Sequence, residues 1–170
     1  VRAAIIAERA YKEYADRLDR DLPFRVPFIL YSSHNDFAQT NIADWLIGEG
    51  TGGFSEPFRN RVVLPYNASH GDFVHVIRHE LVHVFQQDYP GGLGKALRRV
   101  LGRVPLEWPF FPGAATPDWT VEGIAVYYES ALTQAGRVRG SFHEMAVRTA
   151  VLEDRFESID QASGSSPVWP

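Results

Sequence analysis

At 170 residues, 45% of them apolar and 13% aromatic, the chain is long and apolar enough to bury a core as one domain without covalent staples. A net charge of −4 without any basic tract excludes the electrostatic footprint of a nucleic-acid binder, and the lack of cysteine excludes disulfides, thiolate metal sites and cysteine nucleophiles together. No run approaches the roughly 18 apolar residues that span a bilayer, so no transmembrane segment is expected in this chain, and no secretory leader is visible.

In chain order, Arg2 to Arg20 reads as an amphipathic helix. Ala3, Ile6, Ala10, Tyr14 and Leu18 form its apolar stripe, which is expected to pack on a sheet. Asp21-Leu22-Pro23 ends it, because proline disfavours helix in the residue before it. Val26 to Ser33 reads as a strand. Its short apolar run Phe28-Ile29-Leu30-Tyr31 predicts burial on both faces. His34 follows in a polar turn as a surface histidine, and Asp36 to Trp45 allows a helical turn. The four glycines between Gly48 and Gly53 predict a loop, without the pattern of a phosphate-binding one. A second strand, Asn60 to Tyr66, ends at Pro65, which suits a strand end or a sheet edge. Such an edge could take an extended peptide through main-chain hydrogen bonds.

Asp72 to Asp88 reads as one long helix, with Ser69 as N-cap and Asp72 in the acidic position of a capping box. It contains His79-Glu80-Leu81-Val82-His83. Residues four apart share a helix face, so His79 and His83 can hold one metal ion. Glu80, one position along, can reach a water on that ion. This H-E-x-x-H order is the arrangement of zinc hydrolases: neutral imidazoles ligate Zn²⁺, and the glutamate takes a proton from water that the metal has acidified. His70 and His75 lie nearby. The pair His75/His79 shares the spacing but encloses no glutamate, and ranks below His79/His83. Tyr89-Pro90-Gly91-Gly92 stops the helix.

Lys95 to Arg103 reads as a short, solvated basic helix. Val104 to Pro117 is a stiff proline-rich loop whose Trp108, Phe110 and Phe111 either wall a cleft or cover the core. Thr116 as N-cap, Pro117 at the first helical position and Asp118 in the first turn start a helix running to about Gln134. Two histidines leave zinc under-coordinated, and Glu122 near the start of this helix is the natural third ligand. Gly123 then removes a side chain where two helices approach closely. The last helix, Ser141 to about Phe156, carries a capping box Ser141…Glu144, with His143 in its first turn. The expected domain is 1–158, with 159–170 a tail or linker. The opening at Val1 and the abrupt polar end read as a domain cut from a longer chain.

With His79, Glu80 and His83 followed by Trp119, Glu122, Gly123, Ala125 and Tyr127, the chain resembles the gluzincin metallopeptidases, in particular the peptidase MA-type domains of bacteria. Gly50 to Pro65, G-x-x-G-F-S-E-P-x-x-N-R-V-V-L-P, is similar to their strand ahead of the helix. The resemblance covers roughly Phe28 to Ser130. It implies an α+β fold: a small N-terminal mixed sheet with helices, a zincin-like active-site helix and a helical C-terminal half. It also implies Zn²⁺ on His79, His83 and Glu122, with Glu80 as general base and a peptide or protein as substrate. By the same resemblance Glu129 accepts a hydrogen bond from a ligand histidine, while Tyr127, Tyr128 and His143 are candidate oxyanion donors. Some such domains precede TolB-like β-propellers in exported chains, so export to the periplasm or beyond and a C-terminal propeller are expected here too. Two departures matter. The stretch between His83 and Glu122 is longer than in thermolysin-like or aminopeptidase sequences, and the G-x-M-E-N element that grips a free amino terminus is missing. Together they favour an endopeptidase. A catalytically silent zinc-containing domain that binds peptides is the alternative, and a non-peptidase hydrolase on the same metal is a third reading.

Overall fold

Val62, Val63 and Leu64 are fully buried, and the strand that carries them, β3 (Arg61–Pro65), is the middle of a three-stranded sheet. The computed structural model describes residues 2–43, 47–48, 50–56, 59–66, 69–88, 92–102, 117–134, 136–156 and 158. The fold is α+β, a small mixed sheet with helices around it and a helical C-terminal half. The chain divides into two compact units, Val1–Ala115 and Thr116–Pro170.

In the first unit β1 (Phe28–Tyr31) runs parallel to β3, Phe28 opposite Val62 and Tyr31 opposite Pro65. β2 (Phe54–Glu56) runs antiparallel to it on the other side, Phe54 opposite Val63 and Glu56 opposite Arg61. That last pair is directly cross-strand and forms an ion pair at 2.5 Å. Asn60, at φ 55°, takes the left-handed conformation just before β3, which asparagine tolerates better than most residues. Gly53 leads into β2 against β3. A Cβ there would be driven into the Leu64 side chain and to 3.1 Å from the Val63 carbonyl, so glycine suits this close approach best. Phe37, from the short helix α2 (His34–Ala38), closes a core cluster with Ile47, Phe54 and Val63. The Ser33 hydroxyl caps α2 by accepting from the Asp36 N–H at 3.1 Å.

Helix α1 (Arg2–Leu18) packs on α3 (His70–Gln87) rather than on the sheet. Ala10 and Tyr14 are its buried residues, while Leu18 is exposed. Tyr14 meets the Phe85 ring edge-on at 6.2 Å, and its hydroxyl donates to the Arg78 carbonyl at 3.3 Å. Glu13 pairs with Arg78 at 2.9 Å. α3 also lies against β2 and β3. Its last residues are held through Asp88, which is only 2% exposed. Asp88 accepts from Arg20 at 2.9 Å, just beyond α1, and from Arg98 on α4 (Gly92–Leu101). The basic helix expected over Lys95 to Arg103 is thus present, shifted toward the N-terminus and anchored by one of its arginines.

The second unit holds α5 (Asp118–Ala131), a 3₁₀ turn (Arg137–Arg139) and α6 (Ser141–Leu152). Ala125 and Ala150 are its buried apolar residues. Gly136, at φ 105°, brings the 3₁₀ turn against α5, where a Cβ would sit 2.7 Å from the Ser130 Cα. Ser130 receives the turn twice, its hydroxyl accepting from the Val138 N–H at 3.2 Å and its carbonyl from Arg139 Nε at 3.3 Å.

Several expectations are corrected. β3 is the central strand, not an edge; Pro65 suits its end, and among the described residues β1 and β2 are the edges. β1 is not buried on both faces, since Leu30 is exposed, as an edge strand permits. β2 follows directly on the expected glycine loop of 48–53 and was not read as a separate strand. Pro117 stands at the cap of α5 and not inside it, its carbonyl accepting from Thr120 and Val121. α5 ends at Ala131 and α6 at Leu152, both short of the expected limits. The Ser141…Glu144 capping box is not formed: Gly140 is the cap residue, Ser141 is already helical, and Glu144 pairs with Arg148 at 2.6 Å. Gly123 is exposed and a Cβ on it would meet nothing within 4 Å, so among the described residues no close helix approach requires it. Residues 44–46, the turn at 89–91, the proline-rich loop up to Thr116 and the tail 159–170 lie outside the described residues.

Two stability predictions follow from this packing. Asp88→Asn should destabilise the first unit by about 3 kcal/mol, because it strips the charged partner from two part-buried guanidiniums. Gly53→Ala should cost roughly 1–3 kcal/mol through overpacking against β3. Urea denaturation of each variant measures both.

Candidate metal centre

The helix that carries His79 and His83 is fixed by contacts other than those of its imidazoles. Ser69 starts it, accepting from the Asp72 N–H at 3.3 Å, so the hydroxyl half of the expected capping box forms. Phe73, Ile77, Leu81, Val84 and Phe85 are buried at helical spacing and orient it. Gln87 Nε2 donates to the Ser55 hydroxyl at 2.9 Å and ties the helix end to β2.

His79, Glu80 and His83 are all buried, which is unusual for polar residues and costly unless they are satisfied. The two imidazoles stand nearly perpendicular, their ring centroids 4.7 Å apart and their Nε2 atoms 3.1 Å apart. Two nitrogens that each sit about 2.0–2.1 Å from one tetrahedral zinc lie about 3.3 Å from each other. The observed spacing is therefore close to what a shared ion needs. His83 turns its other nitrogen to the Gln86 side chain, with Nδ1 2.8 Å from Oε1. Gln86 went unnoticed in the sequence, although its position three residues after His83, on the same helix face, was a readable signal.

The other histidines are placed differently. His75 is half-buried and makes no pair with His79 among the contacts described. His34 is not a free surface residue: its Nε2 lies 3.2 Å from the Thr51 carbonyl and its ring packs on Phe37. His70 is exposed at the start of α3.

In the second unit Glu122 is exposed in the second turn of α5. His79, His83 and Glu122 are a donor set that could hold a metal ion, and two imidazoles with one carboxylate suit zinc chemically. Glu129 is buried on the same helix. Its carboxylate accepts from the Arg137 backbone N–H at 3.2 Å and from the Arg137 guanidinium at 3.0 Å, joining α5 to the 3₁₀ turn. Tyr127 is largely exposed and Tyr128 half-buried, their rings 5.5 Å apart, so neither is a core residue. His143 is exposed beside Phe142. No helix among the described residues is long and apolar enough to cross a membrane.

No protein-family model matches the sequence, and comparison with curated proteins and with solved structures found no match. The reading of the centre therefore rests on its own residues. Isothermal titration with Zn²⁺ tests it directly: one site per chain in the wild type, abolished by His79→Ala or His83→Ala and weakened at least tenfold by Glu122→Gln.

Proposed function

We propose that the chain is a zinc-dependent peptidase, with His79, His83 and Glu122 as metal ligands, Glu80 as general base and endopeptidase action on peptide or protein substrates. The observation that carries this reading is the buried glutamate between two buried imidazoles whose Nε2 atoms converge. A purely structural metal site needs the imidazoles but has no use for a carboxylate beside them. The likeness of the H-E-x-x-H…W-x-x-E-G pattern to gluzincins supports the same reading, and by that likeness we infer export and a neighbouring propeller domain.

When bound, the metal supplies Lewis acidity, polarising a carbonyl and acidifying water. Glu80 takes a proton from the attacking water and hands it to the amine that leaves as the C–N bond breaks. The low-dielectric setting of Glu80 strengthens its interactions with charge that develops beside it. His79 and His83 act as neutral ligands, their rings held by the helix and, for His83, by Gln86. β2 offers the substrate an edge. It is held beside α3 by the Gln87–Ser55 hydrogen bond, and an extended peptide could add to it through main-chain hydrogen bonds. Tyr127, Tyr128 and His143 remain the candidate oxyanion donors.

Glu80→Gln decides the reading. Metal content should stay at one zinc per chain, while hydrolysis of a casein-type substrate falls by at least about 100-fold. A chelator should abolish cleavage by the wild type, and added Zn²⁺ should restore it. Equal cleavage by the wild type and Glu80→Gln would remove Glu80 from its role. Zinc in both proteins with cleavage by neither would favour the silent peptide-binding domain.

A further inference from the structure

We propose that Gln86 is a positioning residue that sets the tautomer of His83 and so makes its Nε2 a metal-binding lone pair, an inference that rests on the metal-centre reading above. A neutral imidazole carries one N–H and one lone pair, on different nitrogens. Which nitrogen has the lone pair depends on what faces the other. In this structure the Gln86 amide oxygen lies 2.8 Å from His83 Nδ1. An oxygen can only accept, so Nδ1 carries the hydrogen and donates it. Nε2, the atom that faces His79 at 3.1 Å, is left with the lone pair.

The same pair of contacts orders the metal-free centre. His83 Nε2 accepts across the 3.1 Å contact, so the hydrogen between the two rings lies on His79. Gln86 supplies this control from the same helix, one turn on from His83. Partners of this kind orient a ligand ring and raise its basicity. An amide differs from a carboxylate here, because turned about its last bond it would present N–H groups to Nδ1. The hydrogen would then move to Nε2 and the ligand would be lost. Gln86 thus holds His83 competent only with its oxygen inward.

Two variants separate the possibilities. Gln86→Met keeps the length of the side chain and removes the acceptor; Gln86→Glu keeps an acceptor and removes the donor. Long-range ¹H–¹⁵N spectra of the metal-free protein read the tautomer without any metal. The expected result is a His83 Nδ1–H tautomer in the wild type and in Gln86→Glu, and a shift toward Nε2–H in Gln86→Met. Calorimetric titration with Zn²⁺ should show Gln86→Met weaker by about 10–100-fold, with Gln86→Glu restoring the affinity. A wild-type His83 in the Nε2–H form, or a tautomer that stays unchanged in Gln86→Met, overturns the proposal. If the tautomer shifts as expected but the wild type binds no zinc, Gln86 keeps its role and the metal reading falls instead.

Discussion

Polar groups taken out of water have to find partners, and the middle of α3 is built around that requirement. His79, Glu80 and His83 are buried together with Leu81, Val82, Val84 and Phe85, so a continuous stretch of helix is shielded from solvent. An unmatched polar group there would cost kilocalories. The imidazoles meet part of that demand through each other and through Gln86. Within the first unit, α1 and two strands of the sheet pack against this helix. Tyr11 and Tyr14 of α1 cover Phe85 from one side, and β2 and β3 lie against another.

Asp88 shows the same logic at the end of the helix. The C-terminus of a helix gathers carbonyl partial charges, so a carboxylate there has the wrong sign for the dipole. Arg20 and Arg98 reverse the balance by reaching the same carboxylate from two directions. One buried acid thereby joins the ends of α1 and α3 to α4.

The helix with the metal motif was legible because three independent signals agree along it: apolar spacing, a serine cap and the histidine pair. β3 was legible from its apolar run. Its central place was not, because β1 pairs with it across a long stretch of chain, β2 just ahead of it was not read as a strand, and proline at its end suggested an edge. β2 was missed for a related reason. Phe-Ser-Glu is too short to show alternation, and the glycines before it read as loop. Gly53 is there to let the backbone approach Leu64, not to keep it loose. The partner of α1 was misjudged because a stripe of small and aromatic residues fits a helix as well as a sheet. Ser141 looked like a cap by residue type, whereas the backbone places Gly140 there. Gln86 carries no charge and belongs to no motif in the sequence, although its amide oxygen serves a neutral imidazole as a carboxylate would.

The order of elements around β3 has a kinetic consequence. β2, β3 and α3 follow one another directly in the chain, so their mutual pairing closes only short loops. Pairing β1 with β3 and docking α1 on α3 close longer ones. Short closures cost less chain entropy and come first in most small folds. The stretch from Phe54 to Gln87 can therefore assemble as a nucleus in which the edge strand and the histidine helix are already side by side. The N-terminal segment makes the more costly closures, and the contact of Arg20 with Asp88 is one of them.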